Sequence, residues 1–294
     1  MRAGPVRRPE TTRRTFVRNL VGGAVTIGGL GALAACSDAG SPRAVRPTAA
    51  STLPPTLPPT LPPTLPPTLP PTTTTTLEPR LAQPLPPLIR SGPPDRPQVA
   101  VTIDDVFGAG GADQLSGALD LARDRNVKLT FFPTGGALEA HMGAGKQDVW
   151  KRSVLEGHEI GNHTYTHRAL TSLPDQEIRD ELTWTQKLLN DALGFEYRMR
   201  LMRPPGGTGG AGNGDPRLLA ILAELGLTMT MWTIDSRFTQ GNASYLTKIL
   251  NEARNGSIVL CHFQTFGLPS LAALLDALPP RGLRPVTVTQ LVAP

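Results

Sequence analysis

Several short apolar runs in this chain end on residues that can move a proton or hold a charge. Asp104 and Asp105 follow the run 99–103, and Arg203 follows the short run ending at Met202. Asp235 ends the run 227–234, and His262 ends the run 257–261. An acid or histidine after a strand often serves only as a helix cap or turn former. Agreement among four strand ends says more, because parallel α/β folds build their sites at the carboxyl ends of the strands. A second cluster is His163-Thr164-Tyr165-Thr166-His167. On a helical turn, histidines at i and i+4 project from one face and can bind one metal through two imidazole nitrogens. Such pairs also occur on surfaces and in cores, and this chain has five histidines in all. Asp105 would complete a facial set of three ligands, with positions left open for water and substrate.

Those placements presuppose a parallel sheet, and the rest of the pattern supplies one. The runs 99–103, 127–132, 227–234, 257–262 and 285–288 are rich in β-branched or aromatic residues and short enough for buried parallel strands. Between them the pattern predicts helices over 112–124, 146–156, 174–192, 215–225, 244–254 and 269–278. Asp215-Pro216 has the form of a helix start, and the leucines at 271, 274, 275 and 278 line one face, as a core stripe does. His141 lies in a glycine-rich stretch read as a loop. Strand and helix alternating from residue 98 to residue 294 predict an α/β domain with a parallel sheet, open or closed into a barrel.

Composition separates that domain from what precedes it. The chain has 294 residues and 31 prolines, with most of the excess proline before residue 98. Residues 1–35 read as a signal peptide, with an Arg-rich start and an apolar, Gly-rich run from Leu20 to Ala35. That run falls short of the ~20 strongly apolar residues a transmembrane helix needs. Thr12-Arg13-Arg14-Thr15-Phe16-Val17-Arg18 resembles a twin-arginine export signal, and Leu33-Ala34-Ala35-Cys36 resembles a lipobox. They predict export and lipidation of Cys36, anchoring the protein outside the cytoplasmic membrane. Residues 36–97 then form a tether. Residues 52–71 are five copies of Thr-Leu-Pro-Pro, which favour polyproline II and span roughly 60 Å. Removing residues 1–35 leaves 23 bases and 23 acids, so the net charge of +5 belongs to the signal and gives no footprint for nucleic acid. Cys261 is the one other cysteine, so lipidation of Cys36 leaves no pair for an internal disulfide.

From about Gln98 to Leu291 the chain resembles the polysaccharide deacetylases of carbohydrate esterase family 4, the NodB homology domain. Five stretches carry the resemblance in order. They are Thr102-Ile103-Asp104-Asp105, then Gly157 through His167, then Arg203-Pro204-Pro205-Gly206, then Trp232 through Phe238, and finally Ile258 through His262. The resemblance implies a distorted, incomplete (β/α) barrel. It implies that Asp105, His163 and His167 hold a divalent ion, usually zinc, which activates water and polarises the acetyl carbonyl. Asp104 would be the general base, kept ionised by Arg203. His262 would protonate the departing amine, with Asp235 holding its ring. The backbone N–H of Gly206 would meet the oxyanion, and Trp232 and Phe238 would wall the pocket. His158 fits the pattern but reads as a core histidine rather than a ligand.

Three positions depart from the pattern. Val106 stands where glycine is usual, Gly206 replaces an aromatic residue of the acetyl pocket, and Phe238 replaces a tryptophan. Every charged role stays filled, so an active enzyme with an altered pocket is expected. Exported placement favours peptidoglycan or another acetylated glycan as the polysaccharide partner. An O-acetyl ester is an alternative substrate, and a non-catalytic glycan-binding lipoprotein is the rival class. An iron oxygenase shares the two-His-one-carboxylate set but has no use for Asp104, Arg203 and His262. The run Gly207 through Gly212 matches G-x-G-x-x-G, yet it follows Arg203-Pro204-Pro205 instead of a strand. It reads as a rim loop, with no nucleotide expected.

Overall fold

The computed structural model describes residues 85–236 and 243–294. The expected signal peptide, Cys36, the Thr-Leu-Pro-Pro repeats and Phe238 lie outside the described residues. In chain order the elements are β1 (Leu88–Ile89), β2 (Gln98–Asp105), α1 (Gly108–Asp124), β3 (Thr130–Pro133), α2 (Gly135–Gly143) and α3 (Asp148–Leu155). Next come β4 (Glu159–Ile160), α4 (Asp175–Leu193), β5 (Leu201–Met202), α5 (Pro216–Glu224), β6 (Thr228–Thr230) and β7 (Ile234–Asp235). The chain ends with α6 (Ala243–Glu252), β8 (Ile258–His262), α7 (Gly267–Ala277), β9 (Arg284–Val286) and α8 (Val288–Val292). Among the described residues, no helix is long and apolar enough to cross a membrane.

β2 is the central strand because every residue after Gln98 is buried, which suits a strand covered on both faces. It pairs in parallel with β3, β8 and β9. β4 and β7 extend this sheet, and β1, β6 and β5 form a second parallel sheet. A single parallel bridge between Asn162 and Met202 brings the two sheets together on one side. Among the described residues no pairing joins β7 to β1, so the ring stays open there. The architecture is the expected incomplete (β/α) barrel.

The structure departs from the sequence pattern in four places. The run 227–234 is not one strand, because the backbone crosses between sheets in its middle: the Met231 N–H bonds Ile89 O in one, and the Thr233 N–H bonds Ile258 O in the other. The domain begins before the expected boundary at residue 98. Ile89 is buried, and β1 adds an edge strand to β6, where preceding prolines are tolerated. Residues 135–143 form a helix, started by Thr134, whose side chain accepts the Ala137 N–H; their glycine content hid it. The last apolar run stops at Val286, where a Thr287–Gln290 capping box opens α8. Elsewhere Asp215 caps α5 as its Asp-Pro form predicts, and Leu271, Leu274, Leu275 and Leu278 are buried.

Candidate active site

Asp104 is the penultimate residue of β2, in register with Phe132 on β3 and His262 on β8. Beneath it lies Arg203, fully buried after β5. Its Nη1 donates to Asp104 Oδ1 at 2.7 Å and to Thr102 Oγ1 at 2.7 Å. Its Nε donates to Thr230 O at 3.1 Å and its Nη2 to Met231 O at 3.2 Å. The guanidinium also lies over the Phe132 ring at 4.3 Å and near Trp232 at 5.6 Å. A buried ion pair is tolerable only when its other polar atoms find partners, and each of the three guanidinium nitrogens has one. The pair keeps Asp104 Oδ1 occupied and leaves Oδ2, 3.7 Å from His163 Nε2, toward the cavity.

Consecutive strand side chains point to opposite faces, so Asp104 and Asp105 should diverge. They do not, because Asp105 has φ 72° and Val106 φ 52°, which turns the chain back on itself. A buried β-branched residue in the left-handed region is strained, and Val106 is one. Gly111 makes room for the turn, since a Cβ there would stand 2.4 Å from Val106 O. His141 steadies it from α2. Trp150 Nε1 donates to His141 Nδ1 at 3.0 Å, which leaves the Nε2–H to donate to Gly108 O at 2.9 Å.

His163 and His167 are not on a helical turn. The segment between them is irregular, with Thr164 at φ 65° and His167 at φ 61°. Glu181 of α4 takes the place of helical hydrogen bonds. Its Oε2 accepts the Tyr165 and Thr166 N–H groups at 2.8 and 2.7 Å, and its Oε1 accepts from Thr166 Oγ1 and Arg168. The imidazoles still converge. His163 Nε2 and His167 Nε2 lie 3.3 and 3.2 Å from Asp105 Oδ1.

His163 Nδ1 lies 2.7 Å from Arg203 O. A carbonyl only accepts, so Nδ1 carries the proton and Nε2 of the neutral ring presents a lone pair. Asp105 Oδ1 is buried without a hydrogen-bond partner. Lone pairs facing each other at this range repel unless a proton on the ring or a metal ion lies between them. Bonds of about 2.0–2.1 Å to a tetrahedral ion separate neighbouring ligands by about 3.3–3.4 Å. The three ligand atoms lie within 4.8 Å of one another, so they fit a small divalent ion. Burial alone would raise the Asp105 pKa; protonation of the His163 and His167 rings, which would turn these contacts into charged hydrogen bonds, outweighs it and holds the carboxyl well below its usual range.

Asp104, Asp105, His163, His167, Gly206, Trp232 and His262 line one cavity of about 420 Å³. Gly206 sits there at φ 62° in the tight turn Pro205–Gly207. Phe107, Gln264 and Thr265 also line it and were not singled out from the sequence. His262 Nε2 is 3.9 Å from Asp105 Oδ2. Asp235 does not hold this ring as expected: His262 Nδ1 donates to no carboxylate and is buried with no partner. Asp235 pairs in register with Leu260, two residues short of His262. The glycine-rich loop turns its Gly210 and Gly212 carbonyls toward the Arg90 guanidinium. His158 lies in the core, where its Nδ1 accepts the Leu129 N–H at 3.0 Å.

A sequence model of the polysaccharide deacetylase family matches residues 91–212. The uncharacterized protein YlxY of Bacillus subtilis is 30% identical over 212 residues, covering 71% of this chain and 61% of that protein. A peptidoglycan-N-acetylglucosamine deacetylase of Bacillus cereus is 30% identical over 205 residues, covering 67% of this chain and 69% of that protein. The chain thus spans less than two thirds of the first of these relatives. Among solved structures, a peptidoglycan N-acetylglucosamine deacetylase bound to a hydroxamate-type benzamide superposes with a TM-score of 0.60 at 26% identity, covering 70% of this chain and 92% of that one. A CE4 family pseudoenzyme of Bacillus anthracis gives 0.59 at 26% identity, covering 70% and 69%. With this fold and the identity to the Bacillus cereus deacetylase, the chain belongs to the polysaccharide deacetylase family.

Proposed function

We propose that the chain is a metal-dependent hydrolase that removes N-acetyl groups from a glycan, with peptidoglycan as the leading substrate. The observation that carries this reading is the convergence of His163 and His167 on Asp105 Oδ1, beside an Asp104 already held by Arg203. Asp105, His163 and His167 would hold a divalent ion, with zinc favoured by the mixed nitrogen and oxygen donor set. Such an ion supplies Lewis acidity toward water and the acetyl carbonyl.

The chain's own groups supply the rest. Arg203 holds Asp104 through Oδ1, and Oδ2 takes a proton from the attacking water. The water oxygen bonds to the acetyl carbon, and the Gly206 N–H would stabilise the oxyanion. As the carbon–nitrogen bond breaks, His262 Nε2 gives a proton to the departing amine. Acetate and a free amino sugar result. Trp232 and Phe238 would form the wall against which the acyl group lies. The B. cereus relative, a peptidoglycan-N-acetylglucosamine deacetylase, favours the amide over an O-acetyl ester. The signal-like start, Cys36 and the proline-rich tether support a lipid-anchored position on the outer side of the cytoplasmic membrane, reaching into the cell wall.

A second reading has its own support. The orphaned His262 Nδ1, the strained Val106 and the likeness to a pseudoenzyme favour a glycan-binding protein without turnover. Acetate release from chitooligosaccharides and peptidoglycan fragments separates the two. Release that stops on chelation, returns with zinc and is absent in Asp104→Asn is the expected result. A folded, metal-loaded protein that releases no acetate overturns the hydrolase.

A further inference from the structure

Phe107 breaks two local rules at one position and follows two residues that break a third. It is 43% exposed, one of two exposed large hydrophobic residues among the described residues. It occupies the N-cap of α1, where a short hydrogen-bonding side chain is favoured, and makes no cap bond. It also follows directly on Asp105 and Val106, both in the left-handed region. Local conflicts of this kind collect at functional positions.

The surroundings give the position a use. The Phe107 ring meets the His167 ring edge to face, with centroids 5.6 Å apart and planes at 86°. It lines the same cavity as the two carboxylates, together with Trp232, Gln264 and Thr265. His141, bonded to Gly108 O, and the room left by Gly111 hold the turn that presents it. A pyranose ring offers a flat face of C–H groups, which an exposed aromatic ring covers through dispersion and loss of hydrated apolar area. Gln264 and Thr265 offer hydrogen bonds to its hydroxyls.

We infer that Phe107 is a glycan-stacking subsite. It binds the sugar next to the one whose acetyl group reaches the candidate metal ligands, so the substrate is an oligomer or polymer and not a single sugar. The inference rests on the deacetylase reading for the reaction, though not for the binding.

The test uses chitotetraose in two measurements. Binding is followed by calorimetry on the Asp104→Asn protein with and without Phe107→Ala. Turnover by the zinc-loaded protein is compared for chitotetraose and ethyl acetate, which has no sugar to stack. Phe107→Ala is expected to weaken binding at least tenfold. It should also lower kcat/KM for chitotetraose at least tenfold more than for ethyl acetate, mainly through KM, with Phe107→Trp restoring both. Unchanged affinity in Phe107→Ala, equal losses on the two substrates, or no binding by the Asp104→Asn protein would each overturn the subsite. Binding that depends on Phe107 without acetate release overturns the hydrolase and leaves the subsite standing.

Discussion

His158 and His163 lie in one buried segment and face opposite kinds of backbone group. His158 Nδ1 accepts the Leu129 N–H, whereas His163 Nδ1 donates to Arg203 O. The first ring is therefore fixed with its lone pair spent, and the second with a lone pair aimed at Asp105. Burial, with the charge of Lys128 nearby, pushes the His158 pKa down to about 4. Between that value and an unfolded value of about 6.5, the unfolded chain binds a proton that the folded protein refuses. Stability should therefore fall as the pH drops from about 6.5 to about 4, by about 3 kcal/mol from this ring. His158→Gln should cost about 1–2 kcal/mol at pH 7, and its deficit against the parent should shrink in urea melts at pH 4.5. A deficit that stays constant with pH would remove the ring from the account. The residue types at 158, 163 and 167 were readable in the sequence, including the core role of His158. The tautomers were not, because they depend on which backbone group of a distant strand faces each ring.

At the scale of elements, α4 was readable from its pattern, but what it does for the site was not. A His-x-x-x-His spacing suits a helix, and only tertiary partners select the irregular segment found instead. Glu181 is the main one, and Gly135 and Gly136 add N–H bonds to Thr164 O and Tyr165 O. Gly135 must be glycine for that approach, since a Cβ would stand 2.6 Å from the Tyr165 ring. The run 227–234 was misread for a similar reason: alternation and β-branching look the same whether a chain stays in one sheet or crosses to another. Glu181→Ala would strand the Tyr165 and Thr166 N–H groups, at about 1–3 kcal/mol for each buried donor. It should also weaken zinc binding about 10–100-fold, as loss of a group that orients ligands does. Zinc titration alongside thermal melting measures both. A variant that loses stability but binds zinc as tightly as the parent would make Glu181 structural only.

For the whole molecule, the point where the chain enters the barrel matters as much as the site. β1 runs parallel to β6, so the chain arrives at the amino-terminal pole of the strands while the cavity lies at the carboxyl-terminal pole. The described chain thus enters the domain on the side away from the cleft. The proline-rich composition placed residues 85–97 in the tether, because no hydropathy pattern marks a two-residue edge strand. Yet Pro87 O and Ile89 O accept the Met229 and Met231 N–H groups, and the Gly92 N–H bonds Gly256 O. Ile89 is 2% exposed. Removing β1 forfeits about 1.5–3 kcal/mol of Ile89 burial and strands two strand N–H groups at about 1–3 kcal/mol each. A domain cut at residue 98 should melt roughly 10–35 °C below one cut at residue 85, taking about 2–4 °C per kcal/mol at this size. The damage should also reach the site, because Met231 O receives Arg203 Nη2 and Trp232 follows directly. Acetate release by the shorter domain should therefore fall even well below its own melting point. Equal melting temperatures and equal rates for the two lengths would return residues 85–97 to the tether.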